Sequence, residues 1–328
     1  MTSNSEKIDR VRTCVGSEVD VADIDLLPTL PHSVVARLTL EDGSTRIFKC
    51  ATDARHEEGL RRESAVDDFM LSRFAERVSP RLIDQGERNG ALWLLFEDLS
   101  SSHFRVDGTK PLSPAHVGRF ATLLARVHVQ SAERDLPEAA SRIPGFHPVT
   151  RGTAAAAELL EQFFEDPRRR LLPEGSTNLV RTLQAHLSEL VSRIEPLCVN
   201  MIHGDAHLGN AMFSPGEAVF VDWATAAIGP GELDAAHAIA LNMPRASARS
   251  IERQLVSSYA TACARLGART DPEASWWRYR LCLNMTVLVA IAMAAVPGLS
   301  DEIVARLQRN AFSAALEHRS VEVLHANY

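Results

Sequence analysis

The segment Ile202-His203-Gly204-Asp205-Ala206-His207-Leu208-Gly209-Asn210 puts a carboxylate, Asp205, five residues ahead of a carboxamide, Asn210. A second carboxylate, Asp222, closes the short apolar run Val219-Phe220-Val221 and is followed by Trp223. This is the set of groups that phosphoryl transfer needs. One carboxylate orients an acceptor hydroxyl and takes its proton, while an amide oxygen and a second carboxylate hold Mg²⁺ against nucleotide phosphates. The spacing is expected to return Asn210 toward Asp205 through a loop and to bring Asp222 beside both on a strand. Either half of the string recurs by chance, but the combination in a loop–strand setting is far more specific.

A cation belongs to the same chemistry. Of the 35 lysines and arginines only Lys7, Lys49 and Lys110 are lysine, which a GC-rich codon preference would explain in general. Lys49 is the one that sits in an apolar run, where an amine needs a reason.

These residues need a scaffold, and the first third of the chain supplies strands. Residues 33–40 and 45–50 alternate around Asp42-Gly43, the signature of a hairpin. Residues 81–85 and 91–96 read as two more strands around Glu87-Arg88-Asn89-Gly90. Between the pairs, 53–76 has a helical stripe of Leu60, Ala65, Phe69, Leu71 and Phe74. Beyond Leu99 helical periodicity takes over, at 113–131, 153–164, 177–195, 234–243, 248–267, 273–295 and 301–320. An α+β chain in two lobes follows, a strand-rich part over 1–98 and a helical part over 99–328.

Composition narrows the function. A net charge of −7 argues against a nucleic-acid partner. Five cysteines, odd in number and without a CxxC pair, disfavour a zinc site or a disulfide framework and fit a reducing, cytoplasmic setting. The polar start carries no apolar h-region. Leu281 to Leu299 is almost wholly apolar, but Asn284 interrupts it and Pro297-Gly298 closes it, so a buried helix is expected rather than a membrane span. No GxxxxGK[ST] sequence occurs, which excludes the P-loop kinases.

The string from His203 to Asn210, with Asp222-Trp223 after it, resembles the aminoglycoside phosphotransferase and choline kinase family, whose catalytic loop runs H-G-D-x-H-x-x-N. The resemblance implies a protein-kinase-like fold, with a small antiparallel-sheet lobe carrying one helix and a large, mainly helical lobe. It implies ATP, with GTP as the alternative nucleotide, and Mg²⁺ as cofactors. It makes Asp205 the catalytic base and gives the metal to Asn210 and Asp222. It also asks for a strand lysine paired with a helix glutamate, which Lys49 and Glu63 supply fourteen residues apart. A hinge would meet the adenine edge through the backbone of Glu97 and Leu99, and Ser33 would end a glycine-free phosphate loop over 27–33. His203, His207 and Asp234 are implied as supports of the loop, although a plain helix-start aspartate would account for Asp234 equally well.

The acceptor is then a hydroxyl of a small molecule: an aminoglycoside or other antibiotic, an amino alcohol or a sugar, with antibiotic resistance as one biological setting. Ala224 stands where many relatives have an acidic or amide residue. A nucleotide-binding pseudokinase is the alternative, and a protein kinase a more distant one. The oligomeric state is left open.

Overall fold

In the antiparallel sheet of the computed structural model, Gly43 takes φ +80°, the left-handed conformation a tight turn needs, and the Ser44 amide donates to the Asp42 side chain at 2.8 Å. That turn joins β2 (Ser33–Leu40) to β3 (Thr45–Ala51) with Val35 opposite Lys49. β5 (Ala91–Glu97) pairs with β3 on its other side, and β1 (Val21–Leu26) and β4 (Leu82–Arg88) complete the order β1-β2-β3-β5-β4. The structure describes residues 3–16, 19–29, 33–71, 74, 76–107, 110, 112–132, 143–146 and 152–325.

The sheet is covered on both faces, and the two-residue period of β3 decides which side chains go where. Phe48 and Cys50 join Val34, Ala36, Leu38, Trp93 and Leu95 on one face. There they bury Val11, Cys14 and Val15 of α1 (Asn4–Val15), a helix not foreseen from the sequence, as β1 was not. The opposite face carries Ile47, Ala51, Leu92, Leu94 and Phe96 and receives Leu60 of α2 (Ala54–Leu71). Lys49 shares the parity of Ile47 and Ala51, so it points toward α2. Of the helix expected over 53–76, Ala54–Leu71 forms α2, and residues 72, 73 and 75 lie outside the described residues.

By contact density the chain forms two compact units. The first holds the residues up to Phe104 together with Val219–Ala226; the second holds the rest. Asp222 therefore belongs to the unit that carries Lys49, although it lies far along the chain.

The second unit is built on helices. α3 (Pro114–Gln130) starts at Ser113, whose hydroxyl accepts from the His116 amide. α4 (Gly152–Glu165) follows, and the helix expected over 177–195 is broken at His186 into α5 (Ser176–Ala185) and α6 (Leu187–Ile194). α7 (Gly231–Ala236) runs into a wider turn at His237–Leu241; then come α8 (Arg245–Arg249) and α9 (Glu252–Arg265). At the centre lies α10 (Pro272–Ala292), packed against α11 (Asp301–Glu317). By length and composition α10 could cross a membrane, but 61% of its apolar window is buried within the protein. Its Asn284 donates to the Ser320 carbonyl at 3.0 Å and accepts from the Ser320 hydroxyl at 2.7 Å, so a buried amide is satisfied inside the core.

A charged network ties these helices together. Glu252, 3% exposed at its side chain, meets Arg245 at 3.0 Å, His318 at 2.8 Å and the Tyr279 hydroxyl at 2.5 Å. Glu317 binds Arg245 at 2.7 Å and Arg249 at 2.5 Å.

Candidate active site

In the first unit Lys49 is held by carboxylates. Its Nζ donates to Glu63 Oε1 at 2.8 Å, to Glu63 Oε2 at 3.0 Å and to Asp222 Oδ1 at 3.2 Å. The Phe96 ring lies 5.6 Å from the ammonium. Burial alone would favour a neutral amine, but Asp222 and Glu63 outweigh it and hold Lys49 above its ordinary pKa, firmly charged. The Glu63 side chain is 3% exposed and that of Asp222 55%, so one carboxylate is a fixture and the other faces solvent.

Glu63 does a second task, since its Oε1 also accepts from the Trp223 amide at 3.3 Å. Arg62, one residue earlier on α2, donates to the Ala224 carbonyl at 3.0 Å. Gly59, a turn before Glu63, lets Ala224 pack close, because a Cβ there would lie 3.2 Å from the Ala224 Cβ. Upstream, the Phe220 amide donates to the Val78 carbonyl at 2.8 Å. The segment is thus pinned on both sides of Asp222, which adopts φ +68°, a conformation that costs a non-glycine residue energy.

Glu97 ends β5, and its side chain is taken by Arg77 at 3.1 Å. The Leu99 carbonyl accepts from the amides of Ser102 and His103, while its own N–H has no partner among the described residues. Between them Asp98 is anchored by Arg37 at 2.8 Å and by the Ser100 amide at 2.9 Å. Ser33 opens β2 with its hydroxyl 2.5 Å from that of Thr29; residues 30–32 of the expected phosphate loop lie outside the described residues.

The second unit holds the loop that carries Asp205 and Asn210. β6 (Asn200–Ile202) pairs with β7 (Ala227–Gly229), and the loop leaves β6 at His203. Asp234, in the first turn of α7 and fully buried, braces it: its carboxylate accepts from the His203 amide at 2.7 Å and the Gly204 amide at 2.9 Å. His128 of α3 adds a third contact at 3.1 Å. Burial pushes the Asp234 carboxyl up, yet the His128 and His203 contacts outweigh that and keep it below the usual carboxylate range.

Within the loop Asn210 Nδ2 donates to the Asp205 carbonyl at 3.1 Å and to Asp205 Oδ2 at 3.3 Å, which leaves the Asn210 carbonyl oxygen for a ligand. His207 Nδ1 accepts from the Gly209 amide at 2.9 Å, and its Nε2 lies 3.5 Å from Asp205 Oδ2. His203 Nδ1 accepts from the Asp205 amide at 3.3 Å, and Arg105 donates to the Gly209 carbonyl. These bonds fix Asp205, 45% exposed at its side chain, with an oxygen still open to an acceptor.

The structure therefore brings Lys49, Glu63 and Asp222 together in one unit and Asp205, Asn210, His203, His207 and Asp234 in the other. The Asp222 carboxylate of the first unit and the Asn210 amide oxygen of the second are hard oxygen donors of the kind Mg²⁺ takes. Four supporting residues escaped the sequence reading: Arg62, Arg105, His128 and His237. His237 Nδ1 donates to the Gly204 carbonyl at 3.2 Å, and burial lowers its pKa so that the ring stays neutral. Its place three residues after Asp234, on the same helix face, was the available signal; His128 had none, because its partner is remote in sequence.

The family model described as "Phosphotransferase enzyme family" (APH) matches residues 32–281. A comparison with curated protein sequences gives no match. Among solved structures, the GDP complex of a mutant aminoglycoside 2'-phosphotransferase-IIIa superposes with a TM-score of 0.63 at 12% identity, over 95% of this chain and 97% of that one. The macrolide 2'-phosphotransferase MphH from Brachybacterium faecium gives 0.60 at 16%, over 92% and 98%. A spectinomycin phosphotransferase, APH(9)-Ia, in complex with ADP and spectinomycin gives 0.57 at 13%, over 99% and 98%. These identities speak for a shared fold, and the family match spans about three quarters of the sequence, so the chain belongs to the APH phosphotransferase enzyme family.

Proposed function

We propose that this small-molecule phosphotransferase uses ATP and Mg²⁺ to move the γ-phosphate onto a hydroxyl of a hydroxylated antibiotic, an amino alcohol or a sugar. The observation that carries the reading is Lys49 locked in its charged form by Glu63 and Asp222. Such an ammonium positions nucleotide phosphates and offsets charge on the transferring group. Asp205 orients the acceptor hydroxyl and accepts its proton. Asp222 and Asn210 would hold the metal, which when bound would offset negative charge on the phosphates. The backbone of Glu97 and Leu99 meets the base, and Ser33 the phosphates. Of the solved structures named above, one is a GDP complex and one holds ADP, which keeps GTP as an alternative donor.

The test is a thermal-shift titration with ATP or GTP, with and without Mg²⁺, beside the double variant Lys49→Ala/Asp222→Ala. Stabilisation that needs Mg²⁺ and disappears in the variant is expected, and an acceptor screen across aminoglycosides, macrolides, spectinomycin, amino alcohols and sugars then names the substrate. A folded protein that responds to neither nucleotide overturns the reading.

A further inference from the structure

Away from the catalytic residues, three side chains of the second unit converge where α6 begins. His186 stands at the break between α5 and α6, and Glu189 follows on the first turn of α6, so the two share a face. His325 arrives from the end of the short helical turn Ser320–Leu324. The imidazoles of His186 and His325 meet edge to face with centroids 4.5 Å apart, and one ligand atom from each of the three residues lies within 4.8 Å of the others.

The distances suit a metal better than a hydrogen bond. His186 Nδ1 is 3.6 Å from Glu189 Oε2, too far for a hydrogen bond. It is close to the edge of a tetrahedral zinc site, about 3.3 Å for arms of about 2.0–2.1 Å. A separation at the 4.8 Å limit has to close by about 1.5 Å to reach that edge, which the exposed His325 side chain can do by rotation. Glu189 is already oriented: Arg193 Nη2 donates to its Oε1 at 3.1 Å and leaves Oε2 toward His186. His186 makes no side-chain cap to α6, so the imidazole is not committed to the helix.

We propose that His186, Glu189 and His325 bind a divalent cation of the zinc class, with water in the fourth position, and so tie the chain near residue 325 to the start of α6. Two imidazoles and one carboxylate select zinc and its borderline neighbours over Mg²⁺, which prefers oxygen ligands throughout. The site is thus chemically separate from the Mg²⁺ site proposed at Asp222 and Asn210. Both imidazoles must be unprotonated to bind, so affinity falls steeply in acid.

Co²⁺, a coloured substitute for Zn²⁺, supplies the probe. The full chain titrated with Co²⁺ should develop the visible absorption of a tetrahedral complex, saturating at one equivalent. Zn²⁺ should bleach it and Mg²⁺ should not. The signal should disappear in His186→Ala and in His325→Ala and persist in Asp222→Ala, with circular dichroism showing each variant folded. Zn²⁺ at about a hundredfold its dissociation constant should also raise the melting temperature of the parent protein by several degrees and leave His325→Ala unmoved. Absence of the band, or an undiminished band in both histidine variants, overturns the proposal.

Discussion

Replacing Glu63 by leucine tests the central ion pair. The substitution removes two charge-assisted bonds to Lys49, at 2.8 and 3.0 Å, and the acceptor of the Trp223 amide. Removing one partner of a buried pair typically costs about 3–5 kcal/mol, because the other charge stays behind unpaired. Here Asp222 remains 3.2 Å from the ammonium, so the lower end of that range applies, about 3 kcal/mol or over a hundredfold in the folding constant. Removing both charges should cost much less than the sum of the single changes, since the carboxylate then left without Lys49, that of Asp222, faces solvent and no buried ion is stranded. Urea unfolding of Glu63→Leu, Lys49→Met and the double variant, followed by tryptophan fluorescence, gives the coupling directly. A coupling of about 2 kcal/mol or more is expected. If Glu63→Leu costs less than about 1 kcal/mol, or the two losses simply add, Lys49 and Glu63 do not form the dry pair described, and the positioning role given to Lys49 goes with it.

Asp205→Asn should fold and bind nucleotide but turn over about a hundredfold slower or worse, read in a coupled ADP-release assay, because the proton acceptor is gone while the shape is kept. Asp234→Asn should cost about 2–3 kcal/mol and speed hydrogen exchange at the His203 and Gly204 amides, since a carboxamide cannot accept from every donor now facing the carboxylate. Unchanged protection at those amides would contradict the bracing role. Burial pushes Glu317 up, but its bonds to Arg249 and Arg245 outweigh that and draw its pKa from 4.5 down to about 2. Its folded value lies below its unfolded one, so its contribution is complete above pH 4.5 and is lost as the pH falls toward about 2. The stability gap between the parent and Glu317→Gln, about 1–2 kcal/mol near neutrality after allowance for partial exposure, should therefore close in acid urea melts.

What could be read from the sequence was whatever the chain writes locally. The catalytic loop is one string, and its Asn210-to-Asp205 contact spans five residues. The hairpin is announced by Asp42-Gly43 and carries Lys49 in phase with the α2 face. Glu63 was reachable because β3 and α2 are consecutive. α1 was overlooked because only Val11, Cys14 and Val15 of its residues are buried, too few to outweigh a polar start. A capping box between Ser3 and Glu6 was the signal to heed. β1 alternates too weakly to show, with acidic residues between its apolar ones. The breaks at His186 and after Ala236 carry neither proline nor glycine, so periodicity ran straight through them. The braces from Arg62 and His128 depend on partners over a hundred residues away, and a single sequence does not record such pairings.

The membership of residues 219–226 in the first unit bears on how the protein is made. A ribosome that has released the chain through Phe104 has delivered the sheet and both of its helices, but not the strand of backbone that fills Glu63 Oε1, nor the second carboxylate on Lys49. The nascent sheet must wait with a buried glutamate only partly satisfied while more than a hundred further residues are synthesised. Its completion is therefore late and long-range, and an excised 1–104 fragment should gain stability when a peptide spanning 219–226 is supplied in trans.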